Sequence, residues 1–170
     1  MLTFVTIDEF PLLSRAREII VLVQSRNSYD RLSIPDGPTI VSSLLNLAIG
    51  FYNKESLPEA EELAAHALRI QECINHPMHR DLLRPLIMLG AVHSRQRQFD
   101  AAEKMFLRAL VIVGKTDAQV EEHRLALANL CYVYQQLDRM HDLARMQSYL
   151  ERLHQENPFL IKDRPSKPSG

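Results

Sequence analysis

An all-α, right-handed solenoid is the fold class that this sequence predicts, on three observations. One pattern recurs three times: LLNLAIGFYNKESLPEAEELAAHAL at 44–68, LIMLGAVHSRQRQFDAAEKMFLRAL at 86–110 and LANLCYVYQQLDRMHDLARMQSYL at 127–150. Its equivalent leucines, Leu44, Leu86 and Leu127, lie 42 and 41 residues apart. Within each copy the apolar residues keep the spacing of two helical faces in succession. Helix-forming Ala, Leu, Glu, Gln and Arg dominate the chain, with few strand-type runs. A helix pair repeated at such an interval buries its apolar face only by stacking on the next pair.

The elements follow in order. Residues 1–33 hold an expected helix over 8–26 and a polar loop. Ala16, Ile20 and Val23 reproduce the spacing of the second helix of a pair. That segment either caps the first full unit or is a repeat lacking its first helix, since terminal repeats are atypical. Asp36-Gly37-Pro38 is a helix start, proline being tolerated in a first turn. The repeat region spans 34–156, with units at about 41–74, 83–116 and 124–156. In the first unit, helix A runs to about Asn53 and carries Leu44, Leu47, Ala48 and Phe51. Helix B, from Pro58 to Ile74, offers Ala60, Ala64 and Ala67. Asn75-His76-Pro77 breaks the chain. Asp81 is a candidate N-cap for the next helix A, with Pro85 in its first turn.

The second helix A carries Leu86, Leu89, Gly90 and His93, the last in an aromatic core slot. Its partner, with Asp100 as candidate N-cap, offers Ala102, Phe106 and Ala109 and ends at Gly114. Asp117 starts the third helix A, which carries Leu127, Leu130, Cys131 and Tyr134. The last helix B presents Leu143, Gln147 and Leu150 and ends near Glu156. Ala48, Gly90 and Cys131 are small at equivalent positions, so a partner helix can approach closely there. The tail 157–170, rich in proline and serine, is expected to be disordered.

These units resemble the tetratricopeptide repeat. That pattern has a helix-A leucine, a Leu-Gly pair, a tyrosine, then Ala, Phe and Ala on helix B. The second unit matches best, through Leu89-Gly90 and DAAEKMFLRAL at 100–110. The third departs most, with Gln147 where a bulky apolar residue is usual. The ordinary repeat is about 34 residues. Here the extra residues fall between one pair and the next, in proline-containing junctions, and helix A has an L-x-N-L-A form. Those features are similar to the kinesin light chain type of the repeat, although no sustained heptad accompanies them. The resemblance implies a protein-binding module. It also implies that Asn46 and Asn129, in the helix-A asparagine position, look inward and bond a bound peptide's backbone. The second unit breaks that ladder with Met88.

Composition narrows the function. The chain has 170 residues, 46% hydrophobic and 24% charged, ordinary for one globular domain. A net charge of −1 supplies no field for nucleic acid or an anionic membrane. Positive charge sits mostly on arginine, which suits paired interfacial sites. Cys73 and Cys131 form no disulfide framework, and Cys131 occupies a small core slot, so a reducing, cytoplasmic location is expected. The start MLTFVTIDEFPLLS has no basic n-region, so a signal peptide is not expected. The apolar run IIVLV at 19–23 is too short to span a membrane.

No catalytic or cofactor chemistry is legible. His76 and His79 lack a third ligand nearby and fit a helix-junction turn better than zinc. Cys131 has no placeable base, and no glycine-rich phosphate loop exists. Glu59, Glu61 and Glu62 read as a solvated helix start. The expected protein is therefore not an enzyme, and no cofactor or metal is called for.

The one surface with functional promise is the concave groove lined by the helices A. Its candidate residues are Leu45, Asn46, Ile49, Tyr52 and Asn53 in the first unit. The second supplies Arg84, Ile87, Met88, Ala91 and Arg95, and the third Ala128, Asn129, Tyr132, Gln135 and Gln136. Asn, Gln and Tyr offer hydrogen bonds. Leu45, Ile49 and Met88 can receive an apolar anchor, and Arg84 and Arg95 an acidic group. The expected partner is a protein or peptide with an acidic and apolar motif, held by an adaptor or assembly factor. The lysine clamp of chaperone-binding relatives is missing. The alternative is a structural subunit that assembles through its convex face or ends, because the third unit shows no polar capping helix after it.

Overall fold

The structure, a computed structural model, describes residues 37–113 and 120–156. The expected helix over 8–26, the loop with Asp36, the Gly114 and Asp117 signals and the 157–170 tail lie outside those residues. Within them the fold is an all-α helical-repeat solenoid of three antiparallel pairs. α1 (Gly37–Asn53) packs on α2 (Leu57–Ile74), α3 (Leu83–Arg95) on α4 (Phe99–Val113), and α5 (Val120–Gln136) on α6 (Met140–Glu156). The first helices of the pairs also touch in sequence, α1 to α3 and α3 to α5. A 3₁₀ turn at Arg80–Leu82 precedes α3.

The turn inside each pair is the most regular device in the molecule. Glu55, Arg97 and Asp138 all have positive φ, 62°, 63° and 54°. They sit 42 and 41 residues apart, the interval of the sequence repeat. In each turn the following amide reaches back across the helix end: Ser56 N–H to Phe51 O, Gln98 N–H to His93 O and Arg139 N–H to Tyr134 O, at 3.0, 2.8 and 2.9 Å. A second bond runs from Glu55 to Tyr52, Arg97 to Ser94 and Asp138 to Gln135. This pair of bonds is a Schellman termination, and it usually recruits glycine because a Cβ is costly at positive φ. None of the three turns has one. Replacing the exposed Arg97 with glycine should therefore raise stability by about 0.5–1 kcal/mol. A thermal midpoint that is unchanged or lower in Arg97→Gly would contradict that turn geometry.

The core runs through the stack. Leu44, Ala48, Leu63, Ala64, Ala67, Leu83, Leu86 and Ile112 are buried together in a cluster that spans the first two pairs. A second cluster joins pairs two and three around Phe106, with Ala102, Leu130, Val133 and Tyr134. The expected small residue at Gly90 has a direct cause. A Cβ built there would lie 2.6 Å from Phe106 Cε1 and 2.8 Å from its Cζ. The bare backbone of α3 thus seats the ring of α4.

Several local expectations are corrected. Asp81 does not cap α3. It lies in the 3₁₀ turn, whose own cap is His79, and Leu82 precedes α3 without a side-chain cap. Buried Leu82 and Leu83 pull that turn into the core and override the capping preference. Asp100 is likewise inside the first turn of α4, which begins at Phe99. His93 and Cys131 are half-buried rather than fully interior, although the Nδ1 of His93 is itself buried. Glu61 and Glu62 are not merely solvated. Glu61 accepts a 2.8 Å hydrogen bond from Gln96 Nε2 of the next pair, and Glu62 faces His66 Nε2 at 3.5 Å.

On α6 the expected face is also turned. Gln147 is exposed, while Leu143, Met146, Leu150 and Leu153 form the side against α5. Its outer side, with Arg145, Gln147, Ser148, Glu151 and Arg152, is polar apart from Met140 and Tyr149. α6 is the last described helix, so the expectation that no polar capping helix follows the third unit lies outside the described residues.

Burial pushes the His123 imidazole on α5 below its ordinary value of 6.5, against the opposing pull of Glu156. The stability linked to a depressed group is present in full above its unfolded-state pKa and is lost as the pH falls through the lower folded-state value. Thermal midpoints should fall between about pH 7.5 and about pH 5, and His123→Gln should shrink that fall. An equal fall in both proteins would remove His123 as its cause.

Candidate functional site

The stacking order gives each first helix two groove-facing sides. Counting from the equivalent leucines Leu44, Leu86 and Leu127, positions one and five later face the next pair. Positions two earlier and two later face the preceding pair. A pocket of about 310 Å³ opens where these sides meet, over α3. α1 contributes Leu45 and Ile49, the side toward α3. α3 contributes both of its sides, Arg84 and Met88 together with Ile87 and Ala91. α5 contributes Glu122, Leu125 and Asn129, the side facing back toward α3.

The lining is mostly aliphatic. Leu45 is only 3% exposed and belongs to the core as well as to the pocket floor, whereas Ile49 is 41% exposed at its edge. Met88 and Ile87 are half-buried and pack on the main core cluster. An apolar side chain placed there would lose its water shell against carbon on three sides, worth about 25 cal/mol per Å² of area covered. Arg84 stands exposed at the start of α3 and pairs with no acid among the described residues. Asn129 does not offer its amide outward, because its Nδ2 donates a 2.8 Å hydrogen bond to Leu125 O one turn back on its own helix. Its carbonyl oxygen remains the atom available to a ligand amide.

The other sequence candidates fall elsewhere. Asn46 is exposed on α1 and does not line the pocket. Tyr132, 46% exposed, occupies the side of α5 where a following pair would stack, beside exposed Gln135 and Gln136. Asn53 is exposed at the end of α1. Arg95 is engaged within the protein: it bonds Glu55 at 2.9 Å, and its guanidinium carbon lies 4.9 Å from the centroid of the Tyr52 ring. That cluster ties the turn of the first pair to the end of α3. The same combination of groups recurs out of repeat register between the second and third pairs, where Arg139 grips Glu103 with two hydrogen bonds from Nη1 and lies over Tyr134. Burial and the hydrogen bond to Glu103 push the Tyr134 phenol up to about 12.

Glu122 and Leu125 are pocket residues that the sequence pattern did not single out. Leu125 could have been found, because it holds the register of Arg84, two before the marker leucine.

Outside the groove little chemistry gathers. His76 and His79 accept backbone amides of the interpair junction through Nδ1, from Met78 and Asp81, both at 3.3 Å. Among the described residues no group of three or more His, Cys, Asp or Glu side chains is placed to hold a metal ion. Cys73 and Cys131 are both free thiols, and burial pushes each up. No described helix is long and apolar enough to cross a membrane.

A family model described as tetratricopeptide repeat matches residues 39–113, the length of α1 to α4. No curated protein matches the chain.

Proposed function

From residues 39–113 being a tetratricopeptide-repeat segment, a kind of unit that generally mediates protein–protein interaction, we propose that the chain is a non-enzymatic interaction module. Its concave groove holds a segment of a partner protein, as an adaptor or assembly factor does. The observation that carries this is the aliphatic pocket over α3 with unpaired Arg84 on its rim. An apolar side chain fills the pocket, and a carboxylate beside it meets the guanidinium, which binds such groups in a two-pronged fashion. Asn46, Tyr52, Asn53, Tyr132 and Gln136 contribute to the flanks of the same groove. Arg95 contributes indirectly, by fixing Tyr52 and the first turn.

The long unit, with its extra residues in the junctions, supports the kinesin light chain-like subtype of the repeat. Two free thiols support a reducing cytoplasmic setting. Assembly through the solenoid's exterior is the second reading. It is favoured by Leu107 and Val111, exposed one helical turn apart on the outer helix α4.

Affinity capture from cytosolic extract, with wild type and Arg84→Glu side by side, separates the two. A partner lost only from Arg84→Glu places it in the groove. Partners kept by both proteins move the interaction to the exterior and overturn the groove assignment.

A further inference from the structure

The outer side of the third pair breaks a rule that the first two pairs obey. Residues at one register position of the second helices form columns: Ala64, Phe106 and Gln147 in one, Leu57, Phe99 and Met140 in another. Ala64 and Phe106 are fully buried and Leu57 and Phe99 half-buried, whereas Gln147 is exposed and Met140 is 62% exposed. Phe106 and Phe99 owe their cover to the following pair, through the cluster with Leu130, Val133 and Tyr134. On α5, exposed Tyr132 and Gln135 belong to the same open side. No helix among the described residues covers it. We propose that this side is an interface and that its occupant is a second copy of the chain, joined third pair to third pair about a two-fold axis.

Charge selects that occupant. Each internal joint is closed by an acid of the second helix: Glu61 accepts from Gln96 Nε2, and Glu103 accepts from Tyr134 and Arg139. The third member of that column is Ala144. A further pair of the same repeat, or another copy stacked head to tail, would find no acid there to grip. A two-fold contact makes the opposite demand, because each side meets its own likeness and charge of one sign repels itself. Tyr132, Gln135, Met140, Ala144 and Gln147 are all uncharged. The glutamine amides and the phenol each donate and accept, so they can pair with their own copies. Met140 adds an adaptable apolar contact. The acid on this side, Glu151, lies toward the far end of α6. α5 and α6 have 17 residues each, about 25 Å of helix, and side by side they present about 500 Å² in projection. Side-chain relief raises the accessible area above the projection, toward the roughly 800 Å² per partner of a specific interface. Such a dimer carries two grooves, and a partner with two binding segments gains avidity wherever its linker spans them.

The dimer does not rest on the groove being a binding surface, and either can fail while the other stands. Sedimentation equilibrium of the full chain, over a wide range of concentration, compares wild type with two double variants. Met140→Glu, Gln147→Glu puts acids on the end face, and Leu107→Glu, Val111→Glu puts them on the convex face. All four positions are exposed, so folding is left intact. The expected mass of the wild type levels off at twice that of one chain. The dissociation constant should rise at least tenfold in Met140→Glu, Gln147→Glu, where like charges now meet across the axis, and stay unchanged in the convex variant. A wild type that remains monomeric overturns the interface. A mass that climbs past two chains shows head-to-tail stacking and overturns the two-fold contact. A dimer that survives Met140→Glu, Gln147→Glu, or that is lost in the convex variant, overturns its placement on the third pair.

Discussion

Gly90→Ala should destabilise the wild-type protein by about 1–2 kcal/mol and stabilise it once Phe106 is replaced by alanine. Two opposed effects meet at this position. Alanine is a better helix former than glycine by about 1 kcal/mol, so an open site would gain from the change. Here the new methyl would sit 2.6 Å from Phe106 Cε1, and a well-packed interior resists such insertion by about 1–3 kcal/mol. Phe106 itself is fully buried at the joint between the second and third pairs, and Phe106→Ala should cost about 3–5 kcal/mol. With the ring gone, the methyl meets space and the sign reverses. Urea unfolding of the two single variants and the double variant measures the cycle. Should Phe106→Ala prove too unstable to fold, Phe106→Leu serves, since it still removes the two nearest ring atoms. Additive effects, with no change of sign, would show that Gly90 is not there to seat the ring.

Arg84→Glu should weaken binding of an acidic, apolar peptide at least tenfold, which corresponds to about 1.4 kcal/mol. The arginine is exposed and without an acidic partner among the described residues, so the fold loses nothing by the change. The ligand loses a charge-assisted pair and meets a like charge instead. Arg95→Glu is the contrasting variant. It breaks the contacts with Glu55 and Tyr52, and its main effect should be on thermal stability rather than on affinity. Calorimetric titration beside thermal melts distinguishes the two. Equal affinity for wild type and Arg84→Glu would sink the assignment of the carboxylate contact.

Much of the solenoid was legible in the chain because its cause is periodic. The leucines at 44, 86 and 127 and Ala60, Ala64, Ala67, Ala102 and Ala109 are all buried where the repeat puts them. Gly90 in the sequence marks a close approach, and the ring of Phe106 makes it. The turns were less legible. Glu55, Arg97 and Asp138 adopt a conformation that glycine signals, and the sequence has no glycine at any of them. Asp81 and Asp100 do not cap the helices they precede in sequence pattern, for a related reason. A local capping preference worth about 1 kcal/mol yields to the burial of Leu82, Leu83 and the helix face behind them.

For the groove, the division is by the distance over which information acts. The sequence by itself determined the helices, their pairing, the interval of the stack and the residue types that a concave side would present. Those follow from spacing along one chain. Only the tertiary structure decided which of those residues converge. It brought Leu45, Ile49, Arg84, Met88 and Asn129 around one pocket, added Glu122 and Leu125, and left Asn46 and Tyr132 outside it. It also set Arg95 against Tyr52 and Glu55 and turned the Asn129 amide onto its own helix. The physical reason is that a helix has one periodicity but two lateral neighbours. Spacing tells which residues share a face, and only the packing of α1 and α5 against α3 tells which neighbour that face meets.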